Sequence, residues 1–346
     1  MLQERIEGKW IASFRRVLKL NGVGSGTKVA VVAESQSRPV LRQLSEIALY
    51  DLGAEYFTVD LPTPPQTAPV PVKSTGASNA IANMRPVIEA LKNVEVIVDV
   101  TVEGLLHAEE WTEIEEAGTR LFVICNEHPE ILERTEPKAE LGPKVARGIE
   151  MLRDAAEMRV TSKAGTDLVI DIRDAPCGGT PGFTTAQGGV AHWPGGLCLC
   201  FPGKNTINGR IVMVSGDMNL TFKDYLRDPI DFRIEDDFVC EISGDNLDAD
   251  LFREYLAAWG DPIAYGLSHV RAWRFMTSAT CRRQSSAPGP GISSGLPDQT
   301  NMQAASRWDI SICPCAAAPS RSTEPLWLST ARFKEIWHEN DASRLL

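Results

Sequence analysis

The sequence predicts an α/β fold, in which an N-terminal parallel sheet flanked by helices is followed by an α+β region. Two observations predict it. Over the first half, short apolar runs of strand length alternate with stretches of helical spacing. After about residue 158 the pattern turns to period-two strands joined by glycine-rich connections. A third observation bounds the fold: residues 271–330 contain no valine, lysine or tyrosine, although strand formers are frequent before them. The expected organisation is therefore an α/β domain over 1–158, an α+β domain over 159–270, and a disordered tail over 271–346.

The elements follow in order. Lys28–Ala33 (KVAVVA) has the unbroken apolar character of a strand buried on both faces. Pro39–Leu52 has helical spacing and Gly53 stops it. Tyr56–Leu61, Val94–Val100 and Arg120–Ile124 supply further strands, with helices near Met84–Leu91 and Ala108–Glu116. Val145–Met158 has the spacing of a longer helix. Arg159–Ile172 is a hairpin turning at Ala164–Gly165, and Cys177–Gly196 is a long glycine-rich loop. Ile211–Val214, Asp231–Ile234 and Phe238–Ile242 are antiparallel strands. Leu247–Ala258 is a helix with Asp248 and Asp250 in its first turn, where the helix dipole favours negative charge.

Composition excludes several classes. A formal net charge of −11 is wrong for a protein that neutralises nucleic-acid phosphates. No stretch has the length of a membrane span and the charged N-terminus is no signal peptide, so a cytoplasmic protein is expected. The eight cysteines then read as thiols, with Cys198 and Cys200 on one buried strand face. Cys313 and Cys315 repeat the Cys-x-Cys spacing, but no Cys-x-x-Cys zinc pair occurs. Gly22, Gly24 and Gly26 precede a strand, whereas a dinucleotide-binding turn must follow one.

Of the five histidines, His107 lies just past a strand, where α/β sheets place ligands. His128 opens a short helix and reads as a solvent-exposed loop residue. His192 closes the glycine-rich loop, and His269 stands at the start of a strand. His338 belongs to the tail. Neither HExxH nor a Gly-x-Ser-x-Gly elbow is present.

Taken in order, Ser162-Lys163-Ala164-Gly165-Thr166-Asp167, His192-Trp193-Pro194, Gly216-Asp217, Asp261-Pro262 and Tyr265-Gly266-Leu267-Ser268-His269 resemble the 2,5-dihydroxypyridine 5,6-dioxygenase family. That family is itself similar to thermophilic aminopeptidases of the leucyl aminopeptidase T type. The likeness spans roughly residues 10 to 270. It implies an Fe(2+) enzyme that opens a hydroxylated pyridine ring with O2, its partners being a small aromatic substrate and dioxygen. By resemblance His269 is a metal ligand, and His107 and His192 are pocket histidines suited to proton transfer. The other family ligands come from a Ser-Thr-Gly-Pro-Asn stretch and a His-x-Asp pair, and neither occurs after His269. Thr180, Pro181 and Thr184 also stand where relatives carry an acidic residue, which leaves the exact ring substrate open. A homo-oligomer is left open as well.

The genetic code offers a reason for the missing motifs. Let each codon take the third base of one written codon and the first two of the next. Pro290 to Thr300 then permits Gly-Asn-Phe-Leu-Trp-Ser-Thr-Gly-Pro-Asn, and Trp308 to Ala317 permits Gly-His-Leu-Asp-Leu-Pro-Val-Arg-Gly. The same frame continues from Pro319 as strand-forming text with Asp-Gly turns and allows a stop at Phe333–Lys334. The expectation is a frameshift close to Val270, leaving an impaired enzyme with weak or absent iron. Two rivals stand beside it. One is a metal-dependent aminopeptidase, which needs carboxylates such as Asp217 and Glu241 facing His269. The other is a non-catalytic remnant kept as a binding scaffold.

Overall fold

The computed structural model describes residues 5–67, 69, 78–219, 221–267 and 270–274, the last as backbone only. The tail beyond, the region expected to be disordered, lies outside the described residues, as do Ser268 and His269.

The first helix, α1 (Gly8–Leu20), buries Trp10, Phe14, Val17 and Leu18, which recur at helical spacing along one face. Strand β1 (Lys28–Glu34) is buried at every position after Lys28, as its continuous apolar run requires. Helix α2 (Pro39–Leu52) begins at a proline and ends at Gly53 in the left-handed region, both as the sequence predicts. Next come β2 (Glu55–Leu61), α3 (Arg85–Leu91), β3 (Val96–Asp99), α4 (Trp111–Glu116) and β4 (Arg120–Ile124). Two helices, α5 (Pro129–Arg134) and α6 (Leu141–Asp154), then lead away from this sheet.

Helix α6 lies four residues N-terminal of the predicted Val145–Met158, at the same length of 14 residues. Met158 belongs to β5 (Glu157–Thr161), whose burial alternates residue by residue and so fits a strand face as well as a helix stripe. β5 and β6 (Asp167–Asp171) form the expected hairpin, with Gly165 at positive φ in its turn. The glycine-rich segment departs most from expectation. Only residues 181–189 form a loop; a strand lies on either side, β7 (Cys177–Thr180) and β8 (Val190–Trp193), and β9 (Leu197–Cys200) follows at once. The remaining elements are β10 (Ile207–Met213), the short β11 (Met218–Asn219) and β12 (Asp224–Tyr225), β13 (Ile230–Glu235), β14 (Phe238–Ser243), α7 (Leu247–Ala258) and β15 (Val270–Arg274). Asn246 caps α7 by accepting the Ala249 amide at 2.9 Å.

The strands form a parallel sheet of order β2-β1-β3-β4-β8, an antiparallel sheet β14-β13-β10-β6-β5, and a small sheet β15-β9-β7. Apolar side chains fill both faces of the parallel sheet, and a further core lies under the antiparallel strands. Segment 177–200 ties the sheets together, since β7 and β9 pair with each other while β8 between them joins β4 in parallel. Trp193 anchors β8. It is fully buried, its indole N–H donates to the Leu132 and Thr135 carbonyls at 3.0 and 3.2 Å, and its ring lies 5.0 Å from that of Phe14.

This lacing brings two backbones into contact. A Cβ on Gly195 would lie 2.2 Å from Gly182 Cα and 2.4 Å from the Pro181 carbonyl oxygen, and Gly182 itself has φ +101°. Only glycine fits either position. Gly195→Ala should therefore lower stability by about 2–4 kcal/mol in denaturant unfolding. Gly178→Ala, whose Cβ meets nothing within 4 Å, should be close to neutral. Equal effects of the two substitutions would contradict the close approach.

Candidate functional site

Registered neighbours in a parallel sheet point to the same face. Asp99 pairs with Val123 and Val123 with His192, so these three side chains form a row across β3, β4 and β8. With strands about 4.8 Å apart, Asp99 and His192 stand roughly 10 Å from each other across Val123. Glu34 ends β1 on the same face, two residues beyond Val32, which pairs with Asp99. The row lies at the C-terminal edge of the sheet. There β1 and β3 part to opposite sides, which is where open α/β sheets bind ligands.

His192 therefore sits inside a strand of the parallel sheet, and not in the loop the sequence suggests. The reason is β8 itself, whose pairing with β4 overrides the weak strand propensity of its glycine-rich flanks. Its Nδ1 lies 2.6 Å from the Pro194 carbonyl oxygen. A carbonyl only accepts, so Nδ1 carries the proton and Nε2 is the basic nitrogen of the neutral ring. His107 lies in the turn region after β3 and is exposed. His128 is half-buried and not solvent-exposed. Its Nδ1 accepts the Glu130 amide at 3.2 Å to cap α5, and its ring meets Trp10 edge-on at 5.5 Å. It is a structural histidine.

His269 lies outside the described residues, but both sides of it are placed. The Leu267 amide donates to the Asp237 carbonyl at 2.8 Å, and Val270 pairs with Cys200. The Asp237 carboxylate in turn takes the amides of Asn205, Thr206 and Ile207. The carboxylates a peptidase would need are engaged elsewhere. Asp217 accepts the Val214 amide at 2.8 Å within a turn, and Glu241 is exposed, taking the Ser243 hydroxyl and facing Arg233 at 3.8 Å. Among the described residues no group of three His, Cys, Asp or Glu side chains could hold a metal ion.

Sequence reasoning missed Glu34 and Asp99, which are buried. The signal was present as an acid at the end of each buried apolar run. Asp99 accepts the Thr101 amide at 2.9 Å, the Thr101 hydroxyl at 2.7 Å and the Leu105 amide at 2.6 Å. Glu34 accepts the Ser78 hydroxyl at 2.5 Å. Just past β4, Asn126 Oδ1 is buried without a hydrogen-bond partner. A cleft of about 480 Å³ lined by Glu115, Glu116 and Gln187 lies at the opposite end of β4 and β8, away from this row.

Burial pushes the Asp99 carboxyl up to about 6, against the pull of its three hydrogen bonds and helped by the charge of Glu34. Its folded value thus exceeds the 3.8 of a free side chain. Its contribution to stability is full below about pH 3.8 and is lost as pH rises through about 6. At about 1.4 kcal/mol per pH unit the loss is roughly 3 kcal/mol. Urea unfolding between pH 4 and pH 7 should show this fall, and Asp99→Asn should remove it. The same pH slope in both proteins would place the titration on another group.

Comparison with known proteins bears on what this edge belongs to. Residues 9–282 match the family described as 2,5-dihydroxypyridine 5,6-dioxygenase. A 2,5-dihydroxypyridine 5,6-dioxygenase from Pseudomonas putida is 30% identical over 259 residues, 74% of this chain and 73% of the relative. The solved 2,5-dihydroxypyridine dioxygenase of Pseudomonas putida KT2440 superposes with a TM-score of 0.70 at 29% identity, covering 76% of this chain and 75% of that one. Wild-type AmpT from Thermus thermophilus shares the fold with a TM-score of 0.51 at 14% identity, over 75% of this chain and 77% of its own. The likeness of sequence and fold shows that this chain belongs to the 2,5-dihydroxypyridine 5,6-dioxygenase family.

Proposed function

We propose that this chain derives from a ferrous-iron, ring-opening dioxygenase for 2,5-dihydroxypyridine-like substrates, and that the polypeptide as written cannot hold its iron. The observation that carries the first half is the family match over residues 9–282. The second half rests on the donor set. Ferrous iron in such an enzyme needs several fixed protein ligands with positions left for substrate and dioxygen. Of the expected set only His269 is present, and a lone imidazole fixes no geometry. The residues present do not fit the ion.

The frame change near Val270 accounts for the loss. In support, the family match ends at residue 282 of 346. The aligned relative likewise has about a quarter of its length unmatched. In this reading 271–346 is out-of-frame sequence, and the working protein would close with the strands that the other frame encodes.

What this chain's own residues contribute is acid–base chemistry at the sheet edge. His192 accepts a proton at Nε2, because its Nδ1–H is committed to the Pro194 carbonyl. His107, exposed on the turn after β3, exchanges protons with solvent. The partners are a small aromatic substrate and O2. We further infer a reducing, cytoplasmic setting, since the described cysteines carry thiols rather than disulfides, and no described helix is long and apolar enough to cross a membrane.

The written chain and a frame-restored version should differ sharply after anaerobic loading with ferrous iron. The restored protein should retain the metal and consume dioxygen with 2,5-dihydroxypyridine. The written one should bind iron at least about 100-fold more weakly. Equal iron content and equal turnover would sink the frame account. In the restored enzyme, His192→Gln should lower kcat about 10²–10⁴-fold with the fold intact by circular dichroism. A change of less than about threefold, below any effect of a proton-transfer residue, would remove His192 from the chemistry.

A further inference from the structure

We propose that Asp99 is a positioning residue for His107: its buried carboxylate gathers the donors of the 101–105 turn and so sets the imidazole at the sheet edge. The inference rests on the assignment of His107 to proton transfer. Asp99 is fully buried at the end of β3, and its two oxygens take both donors of Thr101 and the amide of Leu105. The turn is closed from within as the Gly104 amide donates to Thr101 Oγ1 at 3.1 Å. It is closed from outside as the Ser78 amide donates to the Gly104 carbonyl at 3.0 Å. Ser78 in turn is held by Glu34 of β1.

There is little room for the turn to shift. Gly104 has φ +85°, and a Cβ there would lie 3.1 Å from Val123 Cγ1 and 3.7 Å from Asp99 Oδ2. The turn therefore lies over Val123, the residue between Asp99 and His192 in the row. The Ala108 amide donates to the Leu105 carbonyl at 3.0 Å, which carries the fixed turn directly into His107. His107 is two residues past the last amide that Asp99 holds.

This arrangement responds to pH. Opening the turn hydrates the carboxylate and lets it ionise at its ordinary value, whereas in the closed turn burial outweighs the three hydrogen bonds and favours the protonated form. The ionisable group acting on Asp99 from a neighbouring strand is Glu34, whose charge favours the protonated form. From β4 the turn meets the apolar Val123, and the turn region itself carries Glu103 and His107. With burial placing Asp99 at about 6, above the 3.8 of the hydrated side chain, the turn is held most firmly at acid pH and loosens as pH rises through about 6.

Hydrogen–deuterium exchange of the full chain, in peptides covering residues 100–108, tests the proposal between pH 4.5 and 8. With intrinsic exchange corrected, protection should rise at least about tenfold on acidification, because the closed turn binds the proton more tightly than the opened, hydrated one. The midpoint should lie near 6. Asp99→Asn should show no step, with β1 and β3 unchanged. Thr101→Val, which removes a bond that favours the ionised form, should move the midpoint upward. Protection independent of pH, a midpoint unmoved in Thr101→Val, or loss of protection throughout β1 and β3 in Asp99→Asn would each overturn the proposal. The titration of the unmodified chain needs no variant to fold. His107→Gln in the frame-restored enzyme separates the two readings. A standing pH step with undiminished turnover removes the function of His107, and a missing step removes the positioning whatever His107 does.

Discussion

The site depends on one lacing event, the insertion of β8 as the outer strand of the parallel sheet between two strands that belong to another sheet. Gly182 and Gly195 touch backbone to backbone where the chain enters and leaves, and the buried Trp193 fastens β8 to the carbonyls of Leu132 and Thr135. Without that insertion His192 would have no register with Val123 and Asp99, and the polar row across three strands would not exist. Through its chain neighbours β7 and β9 the same strand also ties the small sheet to the parallel sheet.

The electrostatics of the edge follow from its place in the fold. Strands buried on both faces must end somewhere, and here β1 and β3 end on Glu34 and Asp99, acids held out of water by the apolar layers. Neither is solvated, so each is satisfied by local donors, Ser78 for Glu34 and the Thr101–Leu105 turn for Asp99. Desolvation still outweighs those bonds at Asp99 and brings its titration towards neutrality. His192 is tuned differently, through a carbonyl that fixes which nitrogen holds the proton.

Much of this was legible in the residues. The unbroken apolar run of β1, the proline and glycine that bracket α2, and the Gly165 turn of the β5–β6 hairpin all carry local signals strong enough to stand alone. The C-terminal end of α6 was set four residues too late because Met158 satisfies helical and strand periodicity together. β7 was unreadable as a strand since CGGT has two glycines, and β8, although VAHW holds Val and Trp, is only four residues long between glycine-rich flanks and is fixed by its pairing with β4. For the site, the motif order marked His192, and the place after β3 and the resemblance marked His107, but neither showed the register that lines His192 up with Asp99. The role of His128 could not be read either, because capping and ring contact come from α5 and α1.

The central proposal is that the metal ligands this family member lacks after His269 lie in another reading frame. Sequencing the coding DNA from codon 265 to codon 335 tests it most directly. The account predicts that the shifted frame spells Ser-Thr-Gly-Pro-Asn across codons 295–300 and His-Leu-Asp across codons 309–312, without an intervening stop. A shifted frame that breaks either motif, or is closed by stop codons before them, would contradict it.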